Sequence, residues 1–575
     1  MKKAWDLIVV GGGPAGSTLA GLVKKLMPGR RVLLLERETG PRHHVGESLL
    51  PGLVPVLKEL GAYEKIDGAG FPRKLGATYV WGADRTPWEN DFNDVNIEVM
   101  LERYGKLPER IEYAWQVVRS KYDEILLTHA QELGAEVRRG ARVSGIIEQA
   151  DGRITGVTLS TGETLSAEFV ADCSGQDGFL SKFRKIREYN PALRNVAGYA
   201  YFKNAKWKYS YTGHPDKTKI FIATIGHGWF WYIPVSADVI SVGLVTTVEH
   251  LKRAGEKDLR ALFLRELRAC EELWPLVEHA EMLDGFDGAE GDFQTHKDWS
   301  YLTREAAGPG WLAVGDAAVF VDPILSSGVT LAQLSAHRAA YTLATWWSDA
   351  DSSVRDLLWD DYSRFCRESA EQYFVLALFW YGNDPHAESW WAKAAKLQRA
   401  WLPVPLTDKG AFVTVSAGLT QYYDRLFSLE ALFDEATNEP EEFPFFMSVF
   451  PKEGKAGSGA PSAGDVLRLT CPFETEYVFL PEPGKARLRP AKRARFLRET
   501  GTEELADAFN PRKIVTRHHL SLLEALDGRR TFAEALEILA RAGVPKWWLE
   551  GPAWRFALDL RIQGVLEPAA AQAAR

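Results

Sequence analysis

The stretch Asp6-Leu7-Ile8-Val9-Val10-Gly11-Gly12-Gly13-Pro14-Ala15-Gly16 decides the fold of this chain. Its apolar first half predicts a short buried strand, and apolar residues at helical spacing predict a helix from Gly16 onward. The glycines match G-x-G-x-x-G, a pattern that allows a tight turn and brings the backbone close to a pyrophosphate at the helix N-terminus. A second strand is predicted at 31–36, so the segment indicates the first strand-turn-helix-strand unit of a doubly wound α/β sheet.

An acidic residue completes this nucleotide-binding pattern. Glu36 ends the second predicted strand, 20 residues after Gly16, where its carboxylate can accept hydrogen bonds from a ribose. A purely structural turn is the alternative, but the strand, the helix and the acid together favour dinucleotide binding. The candidate cofactor-binding residues of this segment are Gly11, Gly13, Pro14, Ala15, Gly16, Glu36 and Arg37.

The composition excludes several classes of protein. The chain of 575 residues is 46% hydrophobic with a formal charge of −8, which argues against disorder and against nucleic-acid binding. Four scattered cysteines have no metal-ligand spacing and are too few for a disulfide framework, so we predict no metal. No apolar stretch is long enough for a membrane span and no signal peptide is recognisable, so we predict a cytoplasmic protein.

Two later segments favour a flavin over a nicotinamide cofactor. Residues 311–318 place Gly315-Asp316 after a buried strand, and 172–175 close another strand in the same way. In flavoproteins of the glutathione-reductase type, a segment resembling the first reaches the ribityl and pyrophosphate region of the cofactor. Arg119, next to a predicted helix, resembles the arginine that these enzymes place near the flavin. The resemblance implies FAD, with Arg119 and Asp316 among its binding residues.

An aromatic strand identifies a narrower group of flavoproteins. Trp229-Phe230-Trp231-Tyr232-Ile233-Pro234 predicts a strand with Trp229, Trp231 and Ile233 on one face, which by itself favours an aromatic core. Together with GGGPAG and the late GDAA segment, W-x-W-x-I-P resembles the flavin-dependent halogenases over about residues 1–345. The resemblance implies that Trp229 and Trp231 form a barrier between flavin and substrate, which also keeps water from a reactive oxidant.

Further segments resemble parts of the halogenase active site. Residues 74–82 resemble the segment that carries the family's lysine, which implies a catalytic role for Lys74, although most lysines are solvated. Residues 322–329 resemble the halide-binding loop, which implies that backbone N–H groups of Ser327 and Gly328 bind the anion beside the flavin. Gly328 and Ser48, the latter in a segment that resembles the flavin-side loop, join the implied cofactor-binding residues.

The resemblance implies that reduced FAD, dioxygen and chloride or bromide yield hypohalous acid, which reaches Lys74. A separate flavin reductase is the implied partner, because the sequence contains no second G-x-G-x-x-G nicotinamide site. Leu325 stands where tryptophan halogenases have a glutamate, and leucine cannot act as an acid or base. This departure favours the branch that halogenates phenols, pyrroles or carrier-bound acyl groups, which includes halogenases of chloramphenicol biosynthesis.

Three other functions stay open on the sequence alone. An aromatic monooxygenase of the same fold would add oxygen whether or not halide is present. An isoprenoid-type flavin reductase has a related aromatic strand and would not need Lys74. A non-catalytic scaffold would use the C-terminal part, whose basic segment 485–498 is a candidate contact for an acidic carrier protein, although a solvated loop is favoured.

The predicted fold class is α/β, with four consecutive regions. A glutathione-reductase-type (hydroxylase-like) FAD-binding domain with an inserted antiparallel sheet is expected over 1–345, and a helical substrate-side region over 346–450. A linker rich in Gly, Ala, Ser and Pro follows over 451–466. A winged-helix-like domain is predicted over 467–575, with a helix-turn-helix at 519–539 and a small wing at 558–566.

Overall fold

The computed structural model describes residues 5–81, 85–98, 110–207, 210–211, 214–253, 258–348, 352–381, 387–402, 404, 406–420, 461–481, 485–498, 508 and 510–569. The chain forms two compact units. The first consists of Met1–Asp94, Ile111–Trp390 and Ser416–Gly418, and the second of Val95–Arg110, Trp391–Val415 and Leu419–Arg575. Among the helices of the described ranges, none has the length and apolar character needed to cross a membrane.

The strands of the first unit are β1 (Trp5–Val10), β2 (Val32–Leu35), β3 (Arg73–Val80), β4 (Trp88–Asp91), β5 (Ala114–Trp115), β6 (Glu136–Arg138), β7 (Val143–Glu148), β8 (Ile154–Leu159), β9 (Thr164–Asp172), β10 (Arg187–Lys203), β11 (Ser210–Tyr211), β12 (His214–Ile225), β13 (Gly228–Pro234), β14 (Val239–Thr247), β15 (Glu281–Met282), β16 (Gln294–Thr303), β17 (Ala307–Gly308) and β18 (Trp311–Ala313). Its helices are α1 (Pro14–Leu26), α2 (Val54–Leu60), α3 (Tyr63–Asp67), α4 (Arg119–Glu132), α5 (Phe179–Phe183), α6 (Val248–Arg253), α7 (Leu259–Ala269), α8 (Trp274–Val277), α9 (Gly328–Trp347) and α10 (Ser352–Tyr381). Two further helices, α11 (Ala387–Trp401) and α12 (Asp408–Ser416), contain residues of both units.

A mainly parallel sheet carries the glycine turn. Strands β18, β9, β1, β2 and β6 are neighbours in this order, and each pair is parallel. β2 is buried along its whole length, as expected for a strand covered on both faces. Because α1 begins four residues after β1 ends, the predicted strand-turn-helix-strand unit and the mixed α/β class are confirmed.

A ten-stranded sheet carries the aromatic strand. β10, β14, β13 and β12 pair antiparallel, as predicted for the inserted sheet. β3, which precedes them by more than 100 residues, joins β12 in parallel and pairs with β4 and β5 at its other edge. On β13, Phe230 and Tyr232 face a core that includes Phe221 and Leu244, so Trp229 and Trp231 face the opposite side.

An irregularity in β3 changes which of its side chains share a face. Lys74 pairs with Thr218 and Ala77 pairs with Ile220, so three steps along β3 match two along β12. One extra residue in a strand reverses the alternation of side chains beyond it. Lys74 and Ala77 therefore lie on the same face, which continues through Ile220 to Trp231 on the neighbouring strands.

The described C-terminal part of the second unit has its own core. Its strands are β19 (Val466–Leu469), β20 (Phe473–Pro481), β21 (Leu488–Phe496), β22 (Arg512–Val515), β23 (Asp527–Thr531) and β24 (Leu566–Pro568), and its helices are α13 (Arg517–Ala525), α14 (Phe532–Arg541), α15 (Lys546–Glu550) and α16 (Pro552–Ile562). Trp548 is fully buried in this core, and Trp554 packs edge-on against Phe532 at 4.6 Å between ring centroids. Packing therefore accounts for two of the tryptophans of the C-terminal part.

The structure corrects one detail of this part and leaves others as predictions. The wing predicted at 558–566 is wrong, because α16 continues to Ile562 and strand β24 is short. Pro552 begins the helix, and Ala553, Phe556 and Leu560 repeat at helical spacing, a pattern that outweighs the strand propensity. Residues 421–450 of the predicted helical region and 451–460 of the predicted linker lie outside the described residues.

A buried histidine makes the stability of the C-terminal part depend on pH. His519 packs edge-on against Trp548 and Phe556, and burial lowers its pKa from 6.5 to about 3. Below pH 6.5 the imidazole of His519 therefore binds a proton in the unfolded chain but not in the folded one. The free energy of unfolding falls as the pH falls from 6.5 towards 3.

We expect His519→Gln to flatten this acid dependence, because glutamine keeps a polar side chain near the helix cap but does not titrate. Urea unfolding of the full chain, followed by tryptophan fluorescence from neutral to mildly acidic pH, measures it. His518→Gln, at the neighbouring half-buried position, is the control. An unchanged acid dependence in His519→Gln would contradict the assignment.

Candidate functional site

The glycine turn, the first turn of α9 and the aromatic strand meet at a cavity of about 330 Å³. Most of the predicted cofactor and barrier residues line it, namely Gly11, Gly13, Pro14, Ala15, Glu36, Arg37, Ser48, Arg119, Asp316, Gly328, Trp229 and Trp231. Three other predicted residues, Gly16, Ser327 and Lys74, are not part of its lining. The cavity thus brings together motifs that are up to about 320 residues apart in the sequence.

Each position of the turn is a glycine for a different physical reason. Gly11 has φ +109°, and a Cβ there would lie 2.4 Å from the carbonyl oxygen of Cys173. A Cβ at Gly16 would lie 1.9 Å from the carbonyl oxygen of Gly11, so only glycine lets α1 begin so close to the turn. A Cβ at Gly13, by contrast, would meet no protein atom within 4 Å, because this residue faces the cavity.

Glu36 is held at the end of β2 by backbone donors. Its Oε2 accepts a hydrogen bond of 2.6 Å from Gly12 N, and its Oε1 accepts one of 2.9 Å from Glu38 N. The carboxylate is buried against the cavity and keeps lone pairs for ribose hydroxyls. Arg37, at the rim, forms an ion pair with Asp177.

Arg119 organises the loop on the flavin side. It forms a bidentate ion pair with Asp123 at 2.9 and 3.0 Å and donates to Val45 O at 2.9 Å. In the loop that it holds, the Ser48 hydroxyl and the Glu47 Oε2 are buried without a hydrogen-bond partner among the described residues. Burial raises the pKa of Glu47.

A half-buried carboxyl, that of Asp316, also lines the cavity. Burial raises the pKa of Asp316 to about 6, although Arg119 and His296 act in the opposite direction. The cavity offers buried polar groups without partners, a carboxyl with a raised pKa, and a glycine turn where an added Cβ would fill free space. A dinucleotide uses a set of groups of this kind. The residues present therefore fit FAD.

A hydrogen-bond network fixes the aromatic wall of the cavity. Trp229 Nε1 donates to the hydroxyl of Tyr381 at 2.7 Å, and that hydroxyl lies 3.1 Å from Asp322 Oδ2. Asn195 Nδ2 donates to the same carboxylate oxygen at 2.7 Å. Strand β13, the last residue of α10 and the loop before α9 are thereby linked by hydrogen bonds. Sequence reasoning missed Tyr381 and Asn195, because no local signal reports a partner 127 or more residues away.

The second barrier indole is fixed in another way. Trp231 Nε1 donates to Ser241 Oγ at 3.1 Å. The indole lies directly over Gly243 on β14, where a Cβ would come within 2.1 Å of the ring. With Ile233, the two indoles form one apolar wall of the cavity.

The predicted halide loop leads into the N-terminus of α9. Asp322 Oδ1 accepts from Ile324 N at 3.1 Å, and Ser326 adopts φ +57° before the helix begins at Gly328. The Ser327 side chain is fully buried, and its hydroxyl has no partner within the described parts of the chain. A helix N-terminus beside an unpartnered hydroxyl suits a small anion.

Lys74 lies one strand beyond the cavity wall. Ile220 of β12 lines the cavity, and β3 is the next strand in the sheet. The lysine is 1% exposed, and burial lowers its pKa from 10.5 to about 7. Its Nζ lies 5.8 Å from the centre of the Phe92 ring, and within the described residues it has no hydrogen bond or ion pair. The structure therefore provides a desolvated amine on the same sheet face as Trp231.

Gly13→Ala separates cofactor binding from folding. Its φ of −72° and ψ of −172° suit alanine, and the added Cβ meets no protein atom. We expect unchanged thermal stability of the apoprotein and an affinity for FAD lowered by about tenfold or more, since the methyl group occupies pyrophosphate space. Titration with FAD measures it. Gly29→Ala, which also has open space around its Cβ, is the control, and an unaltered affinity in Gly13→Ala would refute this placement.

Comparison with known proteins places the chain in a family. A family model described as tryptophan halogenase matches residues 6–107 and 93–433. The chain is 35% identical over 346 residues to a tryptophan 2-halogenase of Chondromyces crocatus, which covers 59% of this chain and 61% of that protein. It is 35% identical over 353 residues to a 1H-pyrrole-2-carbonyl-[peptidyl-carrier protein] chlorinase of Pseudomonas fluorescens, covering 58% of this chain and 75% of that protein. The first match thus spans less than two thirds of the relative's own length.

Solved structures give the same result for the fold. CmlS, a flavin-dependent halogenase, has a TM-score of 0.67 at 23% identity, covering 98% of this chain and 96% of that chain. The myxobacterial chondrochloren halogenase CndH, a variant of FAD-dependent halogenases, has a TM-score of 0.58 at 28% identity, covering 79% of this chain and 99% of that chain. Because the family model matches most of the sequence, the chain belongs to the family of flavin-dependent halogenases.

Proposed function

We propose that this chain halogenates a phenol, a pyrrole or an activated carrier-bound acyl group, using hypohalous acid directed by Lys74. The observation that carries the proposal is a buried, unpaired lysine one strand beyond the cofactor cavity, on the face that carries Trp231. A hydroxylase would have no use for such an amine behind an aromatic wall. The overall reaction of the substrate with hypohalous acid replaces a carbon-bound hydrogen with halogen and releases water.

The cofactor site supports the first half of this chemistry. When bound, reduced FAD supplies the two electrons with which dioxygen and a halide ion yield hypohalous acid and water. Gly11 and Gly13 would hold its pyrophosphate at the N-terminus of α1, and Glu36 would accept hydrogen bonds from its ribose. Arg119 holds the loop that carries Ser48 against the cavity.

The wall between cavity and lysine supports the second half. Ser327 and Gly328 would hold the halide at the N-terminus of α9. Trp229 and Trp231 keep an organic substrate away from the flavin, because their indoles are fixed by hydrogen bonds to Tyr381 and Ser241. Hypohalous acid is small enough to pass where a ring is not, and the apolar wall limits its loss to water.

Beyond this wall, Lys74 receives the hypohalous acid. As an ammonium it would donate a hydrogen bond to the hypohalite oxygen and draw electrons from the halogen. As a neutral amine it would attack the halogen and carry it as a haloamine. A pKa near 7 makes both forms accessible at neutral pH, and each form predicts a different pH dependence.

A residue in the loop before α9 bears on the substrate. Leu325 is buried and provides neither an acid nor a base, so the substrate must be activated by its own electrons or as an enol. One relative is named for tryptophan and another for a pyrrole on a peptidyl-carrier protein. The missing acid favours the second kind, which makes a carrier-bound substrate the leading candidate.

The proposal extends to partners and to the finer fold assignment. A separate flavin reductase would supply the reduced FAD. The parallel strands β1, β2, β9 and β18 with the glycine turn support a glutathione-reductase-type FAD-binding domain. For residues 467–575 the winged-helix-like assignment stays a prediction, supported by consecutive helices α13 and α14 next to short strands.

The decisive assay supplies a flavin reductase, NADH, FAD, oxygen and chloride or bromide, and follows a panel of free and carrier-bound phenols and pyrroles by mass spectrometry. We expect Lys74→Met to lose halogenated product by about 100-fold or more while flavin reoxidation continues and hypohalite escapes. Lys219→Met is the matched control, since this second buried lysine faces the opposite side of the sheet and pairs with Glu89 at 2.8 Å.

The products of this assay distinguish the proposed halogenase from the alternative flavoenzymes. Products that gain oxygen but never halogen would replace the proposal with a monooxygenase, and a reduced polyene would replace it with an isoprenoid reductase. Full halogenation by Lys74→Met would remove the lysine from the mechanism.

The pH dependence tests the state of the lysine. Because burial sets the pKa of Lys74 at about 7, we expect the halogenation rate to change with a midpoint near that pH, while flavin reoxidation shows no such midpoint. A rate that falls as the pH rises identifies the ammonium, and a rate that rises identifies the amine. A flat profile from mildly acidic to mildly alkaline pH would contradict the titration of Lys74.

A further inference from the structure

A buried amide lies on the side of Lys74 that faces away from the cofactor cavity. β4 pairs antiparallel with β3, and Asn90 is opposite Ala77. Partners across an antiparallel pair share a face, so Asn90 lies on the face of Ala77 and, because of the extra residue in β3, of Lys74. β12, which lines the cavity, runs along the opposite edge of β3.

The amide of Asn90 lacks the partners that a buried polar group requires. The side chain is 3% exposed, and its carbonyl oxygen Oδ1 has no hydrogen-bond partner in the described ranges. The nitrogen Nδ2 reaches Ser416 Oγ only at 3.4 Å. A buried amide oxygen without a donor is costly, which points to a ligand that supplies one.

Among the described residues of β3 and β4, Ala77, Tyr79, Trp88 and Lys74 share the face of Asn90, and the first three are uncharged. Tyr79 and Trp88, on the same face, are stacked at 4.5 Å between ring centroids, and Trp380 of α10 stacks on Tyr79. The charged neighbours Glu89 and Lys219 belong to the opposite face, where they pair with each other. The site therefore suits a flat, neutral ring with one hydrogen-bond donor.

We propose that Asn90 Oδ1 accepts a hydrogen bond from the O–H of a phenol or the N–H of a pyrrole and so fixes which ring carbon faces Lys74. This inference rests on the proposed function. During the reaction a carbon–halogen bond forms as the bond from the halogen to oxygen, or to the Lys74 nitrogen of a haloamine, breaks. The ring carries positive charge until its C–H proton leaves, either to the released hydroxide, which becomes water, or to the lysine nitrogen. The O–H or N–H is more acidic in that state, so its hydrogen bond to Asn90 strengthens as the halogen adds.

A matched pair of substrates isolates this hydrogen bond. The probes are a phenol and its methyl ether, and a pyrrole and its N-methyl form, each halogenated by wild type and variants in the reductase-coupled assay. The ratio of kcat/KM for the free and the methylated probe is compared between proteins, so that the intrinsic reactivity of each probe cancels.

We expect Asn90→Leu, which keeps the volume but removes the acceptor, to lower kcat/KM for the free probes by about 10- to 100-fold and to leave the methylated probes nearly unchanged. Asn90→Asp keeps an acceptor oxygen and retains the preference for the free probes. If Asn90→Leu does not fold, Asn90→Ala replaces it in the comparison with Asn90→Asp.

Gln116→Leu is the control, because it removes a similar buried side-chain amide outside strands β3 and β4. Gln116 is fully buried and forms an isolated backbone β-bridge with the cavity residue Ser48. Its side-chain oxygen Oε1 also has no hydrogen-bond partner among the described residues. We expect it to change the rates of free and methylated probes equally. Equal losses for both probes in Asn90→Leu, or no loss for either, would overturn the role of Asn90. Absence of halogenated product from wild type with every probe would overturn the proposed function itself, and this inference with it.

Discussion

Side chains along a β-strand alternate between two faces, and this alternation governs the arrangement of the whole site. In β3 one extra residue between Lys74 and Ala77 reverses it, so that both side chains lie on the face that continues to Trp231. In a regular strand, three steps would place the lysine on the opposite face, in the core around Phe221. The face of the lysine therefore depends on a bulge, and because of it Lys74 shares one face of the sheet with Trp231 and Asn90.

The same sheet carries the cofactor cavity and the candidate lysine on neighbouring strands. Its central strands β12 and β13 line the cofactor cavity, and β3 and β4 carry the lysine and the amide beyond them. Hydrogen bonds from Trp229 and Asn195 to the pair formed by Tyr381 and Asp322 join this wall to the start of α9. Burial on this face of the sheet also removes water from Lys74, which lowers the pKa of the lysine.

Local patterns were reliable where neighbours in sequence are also neighbours in space. The glycine turn follows β1 and leads into α1, as its spacing predicts. The wing predicted at 558–566 is wrong because a helical repeat begins at Pro552 and outweighs the strand propensity of a few residues. Tryptophan has different roles along this chain, since Trp229 lines a cavity, whereas Trp548 fills a core.

The sequence by itself determined the nucleotide-binding unit, the aromatic strand and the candidate lysine, because each depends on residue types at fixed spacing along a short segment. Only the tertiary structure decided that Lys74 is buried and shares a face with the barrier, that Tyr381 holds Trp229, and that Asn90 has an unpartnered oxygen. The physical reason is that burial, strand register and hydrogen-bond partners are set by contacts between segments that are distant in the chain. No local pattern of residues encodes such contacts.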